Sequence, residues 1–324
     1  MPSSTTHLIV PFACCLNAGC TAALATLRLP HLQALLARLA PSEATLLNGT
    51  ADAHNKTPPH ERVQAQALGM SAPDGQIAWA ALNALRLGLS QRAGDEAWAT
   101  VTPCHWHVAA DHITMNAVDL QEAESQALCA AIAPWFVQDG IELHYADPAK
   151  PTQWLARGEV FRGLPTASLD RVLGRNIDAW MPEGAQAAPL RRLQNEMQML
   201  LYHHAVNDAR AQRGAPPVNS FWISGTGALP AGFEDAPPLG VRVSDALRAS
   251  ALAEDWAAWA QAWQALDATE CKALMAAMNA GETVQLTLCG ERAAQSFGPV
   301  RRSPWSRIFN VLGGMSAPAL LGVL

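Results

Sequence analysis

The run LIVPFA, residues 8–13, restricts the fold more than any other feature of the chain. An unbroken apolar run with no polar alternation suits a strand covered on both faces, as in a parallel sheet with helices packed above and below. Such a strand needs crossover helices, and apolar residues near helical spacing follow at once. These are Leu24, Leu27, Leu32, Leu35, Leu36 and Leu39, with Pro30 breaking or starting a helix among them. A proline-bearing loop, KTPPHER, leads into a further helical stretch, and residues 77–89 read as another helix.

The character of the chain changes near Trp98. The segment AWATVTPCHWHVAADHITMN predicts two strands joined by a turn at 109–111. A helix over about 120–137 ends at Asp139-Gly140, and ELHY and QWLA read as two more short strands. This β-β-α-β-β block predicts a small α+β subdomain at 97–175, inserted into a main domain formed by 1–96 and 176–324. The main fold resumes with a helix over 190–213, which Gly214 and Pro216-Pro217 terminate. The strand VNSFWISG, a loop rich in Gly and Pro, and Trp-rich helices over 243–278 come next. Trp256, Trp259 and Trp263 fall at helical spacing, which predicts core packing. A strand TVQLTLCG and a terminal helix at about 305–312 complete the reading. The expected class is α/β, with a mostly parallel sheet flanked by helices.

Composition narrows the function. Net charge is −6, and no basic run exceeds a pair such as Arg191-Arg192, so the footprint of a phosphate-neutralising nucleic-acid binder is missing. The first residues carry no Lys or Arg before Arg28, and Pro11 interrupts their apolar run, so no signal peptide is expected. No stretch approaches the roughly 20 apolar residues of a membrane helix. Seven scattered cysteines, an odd number, fit thiols in a reducing compartment and predict a cytoplasmic protein.

Three segments carry chemistry. On a continuous helix at about 100° per residue, Arg192, Glu196, His203, Asn207 and Arg210 fall in one narrow stripe. A mixture of His, Asn, Glu and Arg suits binding an anion, handling a proton or bridging to a neighbouring loop, although local ion pairs on a solvated face give the same pattern. The stripe leads into a strand ending Ser224-Gly225-Thr226-Gly227, whose N–H groups and hydroxyls would lie where open α/β sheets bind ligands. The residues after it open no helix, so the dinucleotide fingerprint fails, and plain turn chemistry explains these glycines equally well. In CHWHVAADH, period two puts His105 and His107 on one strand face and Cys104 with Trp106 on the other. A zinc or iron site using Cys104, His105, His107 and His112 competes there with polar strand positions of no special role. No nucleophile elbow, Walker loop, H-E-x-x-H or paired C-x-x-C occurs.

The strings TPCHWHVAADHITM, GRNIDAWMP and NEMQMLLYHHAVNDARAQRGAPPVNSFWISGTG are similar to the RpfE-type regulatory proteins, a bacterial family associated with a gene cluster for pathogenicity factors. That resemblance extends over nearly the whole chain and implies a regulatory role. A second resemblance covers about 174–227, where HHAVNDARAQRGAPPVNSFWISGTG is similar to archaeal-type cofactor-independent phosphoglycerate mutases. Those enzymes carry a phosphorylatable Ser and clustered Asp and His ligands for two metal ions. Here Pro11-Phe12 stands where that family has an acidic ligand, and no histidine follows His204. Phosphoryl transfer of that kind relies on metal clamping of developing charge. The resemblance therefore implies a scaffold without mutase activity, on which an anion-binding part survives.

The expectation that results is a non-catalytic regulatory or sensor protein binding a small anionic metabolite. Glu196, His203, Asn207, Arg210, Asn219 and Ser224, Gly225, Thr226 and Gly227 would form the site, with Arg210 on the phosphate or carboxylate. The alternatives are a metal-dependent phosphotransferase or hydrolase centred on Cys104, His105, His107 and His112, using a divalent cation, and a protein-interaction module.

Overall fold

A computed structural model of the chain describes residues 5–42, 54–91, 93–235, 240–299 and 317–322. Its strands are β1 (Thr5–Val10), β2 (Leu39–Pro41), β3 (Trp98–Val108), β4 (Ile113–Ala117), β5 (Glu142–His144), β6 (Trp154–Arg157), β7 (Ser220–Gly227), β8 (Val241–Val243), β9 (Thr283–Cys289) and β10 (Ala294–Pro299). Six helices precede residue 173: α1 (Ala18–Thr26), α2 (Pro30–Leu36), α3 (Pro59–Ala67), α4 (Trp79–Arg86), α5 (Glu122–Gln138) and α6 (Leu169–Val172). Six more follow: α7 (Ala188–Tyr202), α8 (Ala205–Gln212), α9 (Arg248–Leu252), α10 (Trp256–Leu266), α11 (Lys272–Asn279) and α12 (Ala317–Leu321). The chain divides into two compact units. The first comprises Met1–Ala53, Pro58–Gly69 and Ala236–Leu324, and the second His54–Thr57 with Met70–Asp235.

The first unit has the expected α/β character. Its sheet runs β2-β10-β9-β1-β8, with β1 parallel to both neighbours and β10 antiparallel to β9 and β2. The reason the opening run is apolar throughout is visible in β1. Leu8 and Val10 pack with Leu24, Leu32, Trp259 and Trp263, whereas Ile9 packs with Val63, Cys289 and Ala294. The same spacing that predicts core tryptophans gives them a polar duty. The indole N–H of Trp259 donates to the Phe12 carbonyl at 3.0 Å, and that of Trp263 to the Ala13 carbonyl at 3.2 Å. Between α10 and α11 a π-helical turn, Asp267–Cys271, carries Asp267 back onto α2. The Asp267 carboxylate accepts the His31 and Leu32 backbone N–H groups, capping a helix whose own N-cap, Leu29, has no side chain able to do so. Strands β8 and β10 were not anticipated: one is three residues long and the other contains Gly298 and Pro299. The helix expected at 305–312 lies outside the described residues.

The second unit is antiparallel. Strands run β4-β3-β6-β5, and β7 pairs with β3 from Trp98↔Gly227 to Cys104↔Ser220. Leu128, Ile132, Phe136, Leu193, Met197 and Leu201 of α5 and α7 cover one face, against Val101, Phe221 and Ile223. On the other face lie Cys104, Trp106, Met115 and Trp222 with Val172 and Ile177. This grouping differs from an inserted segment bounded at 97–175, because β7 and the helices before it belong with β3. The block was expected to end when its local strand pairs were used up. A long-range partner 120 or so residues away in sequence cannot be read from local pattern.

Among the described residues no helix is long and apolar enough to cross a membrane.

Candidate functional site

The helix expected over 190–213 is two helices. Helix α7 stops at Tyr202, and His204 starts α8 by accepting the Val206 N–H on Nδ1 at 3.3 Å. The break changes the bearing of everything after it, so the stripe that a single helix would present is split. Asn207 turns inward and ties the break together: its amide donates to the Leu201 and Val218 carbonyls and accepts the Val218 N–H, each at 2.8 Å. Arg210 is 1% exposed. Its Nε donates to the Pro216 carbonyl at 2.8 Å, and its terminal nitrogen to the Asp119 carbonyl at 2.8 Å and to Glu124 at 3.2 Å. A guanidinium so enclosed clamps the loop after α8 to the start of α5. Glu124 is held below the ordinary carboxylate range against its own burial by the Gln121 N–H, Arg213 and Arg210. On the other side of the break, Glu196 lies 3.7 Å from Arg192 as an ordinary i,i+4 pair, and Arg192 also binds Asp139.

The glycines of β7 have a packing role. Between Trp98↔Gly227 and Thr100↔Ser224 the register slips, so Gly225 and Thr226 together oppose Ala99 in a bulge. Gly225 has φ +62°, and a Cβ there would lie 3.1 Å from the Trp79 Cβ and 3.3 Å from the Ala80 nitrogen. Close approach of α4 thus requires this glycine. Thr226 is fully buried, donating to the Leu164 carbonyl at 2.6 Å and bonded to Thr166 at 2.9 Å. Ser224 sits beside them, half-buried. The Ser224–Gly227 segment is therefore inside an antiparallel strand and does not form the open end of a parallel one. The N–H groups imagined as an anion cradle belong to sheet and bulge.

Two of the nine expected ligand residues do meet. His203 and Asn219 line a concavity of about 280 Å³ with Gln198, Met199 and Tyr202. Asn219 mimics a strand partner: its Oδ1 accepts the Trp106 N–H at 2.7 Å and its Nδ2 donates to the Trp106 carbonyl at 2.9 Å. One amide hydrogen of Asn219 remains for another acceptor. His203 is exposed, with Tyr202 edge-on to its ring at 4.7 Å. Tyr202 and Met199 are 74% and 78% exposed, high for apolar side chains on a helix end. Imidazole, two side-chain amides and an aromatic wall can hold a small polar group through N–H donors. Gln198 and Tyr202 were missed because the wheel places them off the stripe; Met199 falls beside it but is apolar. The cap of α8 is His204, a residue type outside the usual Ser, Thr, Asn and Asp caps, so the break left little local signal.

The four expected metal ligands are not gathered. Cys104 is fully buried in the apolar cluster on one face of β3, where burial raises its thiol far above the usual range. His105 and His107 share the opposite face with ring centres 6.5 Å apart, and the His105 ring bonds the Pro217 carbonyl at 3.0 Å. His112, in the turn before β4, pairs with its neighbour Asp111 at 2.7 Å. No three of these four bring ligand atoms within 4.8 Å of one another.

No protein-family profile matches the chain, and no curated protein matches it. Solved structures similar to it include the following two. The cofactor-independent phosphoglycerate mutase from Thermoplasma acidophilum DSM 1728 is 13% identical with a TM-score of 0.36, over 92% of this chain and 90% of that one. The PH0037 protein from Pyrococcus horikoshii is 12% identical with a TM-score of 0.46, over 94% of this chain and 90% of that one. Likeness this distant assigns neither an activity nor a substrate.

Proposed function

We propose that the chain is a non-catalytic regulatory or sensor protein of the RpfE type, cytoplasmic, on a degenerate phosphoglycerate-mutase-like scaffold, and that it binds a small anionic metabolite at the 198–203/219 concavity. The observation that carries the binding reading is the convergence of His203, the spare amide hydrogen of Asn219 and the Gln198 side chain on one concavity. An imidazole N–H with two amide donors is an N–H-rich surface matched to a phosphate or carboxylate. Arg210, the cation expected for this role, is replaced in it by His203. Affinity is therefore modest.

Support for a non-catalytic role comes from the end of β1. Pro11 and Ala13 are buried, and the carbonyls of Phe12 and Ala13 are both taken by tryptophan indoles. An apolar turn plugged in this way offers no oxygen ligand where the mutases have an acidic one. Seven thiols without a disulfide support a reducing compartment.

A thermal-shift screen of phosphorylated glycolytic intermediates and nucleotides, followed by calorimetry, tests the reading. His203→Ala and Gln198→Ala should each weaken binding of the metabolite found, with melting temperature unchanged. Binding that ignores both substitutions removes the site.

A further inference from the structure

Immediately after the buried Pro11-Phe12-Ala13 turn, three cysteines crowd residues 14–20. Cys20 lies in the first turn of α1, where the helix N-cap Asn17 accepts the Gly19 N–H at 2.7 Å. The Cys20 sulfur accepts the Cys15 backbone N–H at 3.2 Å. Because N and Cα are about 1.46 Å apart, that contact places the Cys15 Cα within about 4.7 Å of the Cys20 sulfur. Two cysteines held at such range lie within reach of a disulfide. The loop between them is pinned from outside, with the Leu16 N–H donating to Glu291 at 2.9 Å.

The two sulfurs differ in access. Cys20 is wholly buried, whereas Cys15 is half-buried and is the one solvent meets. They differ in acidity as well. Donation from the Cys15 thiol, with the Cys15 N–H, holds Cys20 below the ordinary thiol range, and Cys15 is raised by the same bond. Of the two, Cys20 is the sulfur that its neighbour favours as the thiolate. Cys14 beside them is pushed up to about 12 by burial and takes no part. An accessible thiol backed by an inner sulfur that can deprotonate it and then resolve it is the arrangement thiol–disulfide exchange requires.

We propose that Cys15 and Cys20 are a dithiol exchange site whose substrate class is a small-molecule disulfide, with Cys15 attacking and Cys20 resolving. In the first step the Cys20 thiolate takes the Cys15 proton as the Cys15 sulfur bonds to one sulfur of the substrate. The substrate S–S bond breaks and its other half leaves as a thiolate. In the second step Cys20 passes its proton to the thiolate released first and attacks the Cys15 sulfur, closing the protein disulfide and expelling the remaining half as a second thiolate. Two protein thiols are oxidised and one small disulfide is reduced to two thiols, with protons balanced between them. The site stands on residues of the first unit alone and is independent of the metabolite reading.

The test uses the reduced full-length chain and oxidised glutathione, with acid quenching and peptide mapping by mass spectrometry. The wild type should lose two hydrogens and yield a Cys15–Cys20 crosslink with no lasting glutathione adduct. Cys20→Ser should stop at a stable Cys15–glutathione adduct, and Cys15→Ser, a change at a partly exposed position, should cut glutathione incorporation roughly tenfold or more. Cys14→Ser should leave the crosslink in place. A crosslink to Cys14, a lasting adduct on wild-type Cys15, or no reaction of the wild type under conditions that oxidise a free dithiol overturns the proposal. The wild-type map decides even if a variant misfolds.

Discussion

Arg210→Met separates a clamp from a ligand residue. In the folded protein the guanidinium is 1% exposed and holds two backbone carbonyls and a carboxylate, at 2.8, 2.8 and 3.2 Å. Methionine retains much of the volume and none of the donors, leaving the Pro216 and Asp119 carbonyls without them. A hydrogen bond to a charged group contributes about 1.5–3 kcal/mol, and orphaned buried acceptors add their desolvation cost. Glu124 keeps Arg213 at 2.6 Å, which offsets part of the loss. The expected destabilisation is about 3–5 kcal/mol, the range for removing one partner of a buried ion pair. Urea unfolding of wild type and variant, fitted with a common m-value, measures it. A loss under about 1 kcal/mol, near the surface-substitution range, combined with abolished binding of a phosphorylated metabolite, would refute the reasoning and return Arg210 to the ligand.

Gly225→Ala forces a Cβ to 3.1 Å from Trp79 at φ +62°, and should cost about 1–3 kcal/mol in the same assay; an unchanged midpoint would mean that α4 is not seated against the bulge. His7 is buried against Thr287 at 2.8 Å, and burial lowers it from 6.5 to about 4. Its neutral form is favoured by folding, so the stability it confers is complete above pH 6.5 and is lost as pH falls toward 4. The total is roughly 3 kcal/mol, at 1.36 kcal/mol per unit. His7→Asn should flatten the stability profile between those values, and an unaltered slope contradicts the assignment. Asp267→Ala removes the only side-chain cap of α2 among the described residues and should cost about 1–2 kcal/mol, with faster hydrogen exchange at His31 and Leu32. Unchanged protection there would show the cap to be idle.

Much of the architecture was legible because local signals carry it. The unbroken apolar run of β1, the period-two alternation of Cys104–His107 in β3 and the tryptophan spacing in α10 each specify burial directly, and the structure uses them so. The pairing of β7 with β3 was not legible, since register between distant strands leaves no local trace. It reassigns the 190–227 region to the antiparallel unit. The anion site failed as first drawn for two identifiable reasons. A helical wheel assumes one axis, and the cap at His204 ends that axis. Gly225 and Gly227 likewise signal a special backbone without saying whether a ligand or a neighbouring helix approaches; here Trp79 and Ala80 do. Of the stripe, His203 alone reaches the concavity, where Gln198 and Tyr202 join it from a face that the wheel set aside.

Calorimetric titration of a phosphorylated three-carbon acid into wild type and His203→Ala at pH 6 tests the central claim most directly. Saturable binding by the wild type that falls roughly tenfold in the variant, with both proteins equally stable, is the predicted result. Equal affinity in the two proteins, or no heat of binding in either, would contradict it.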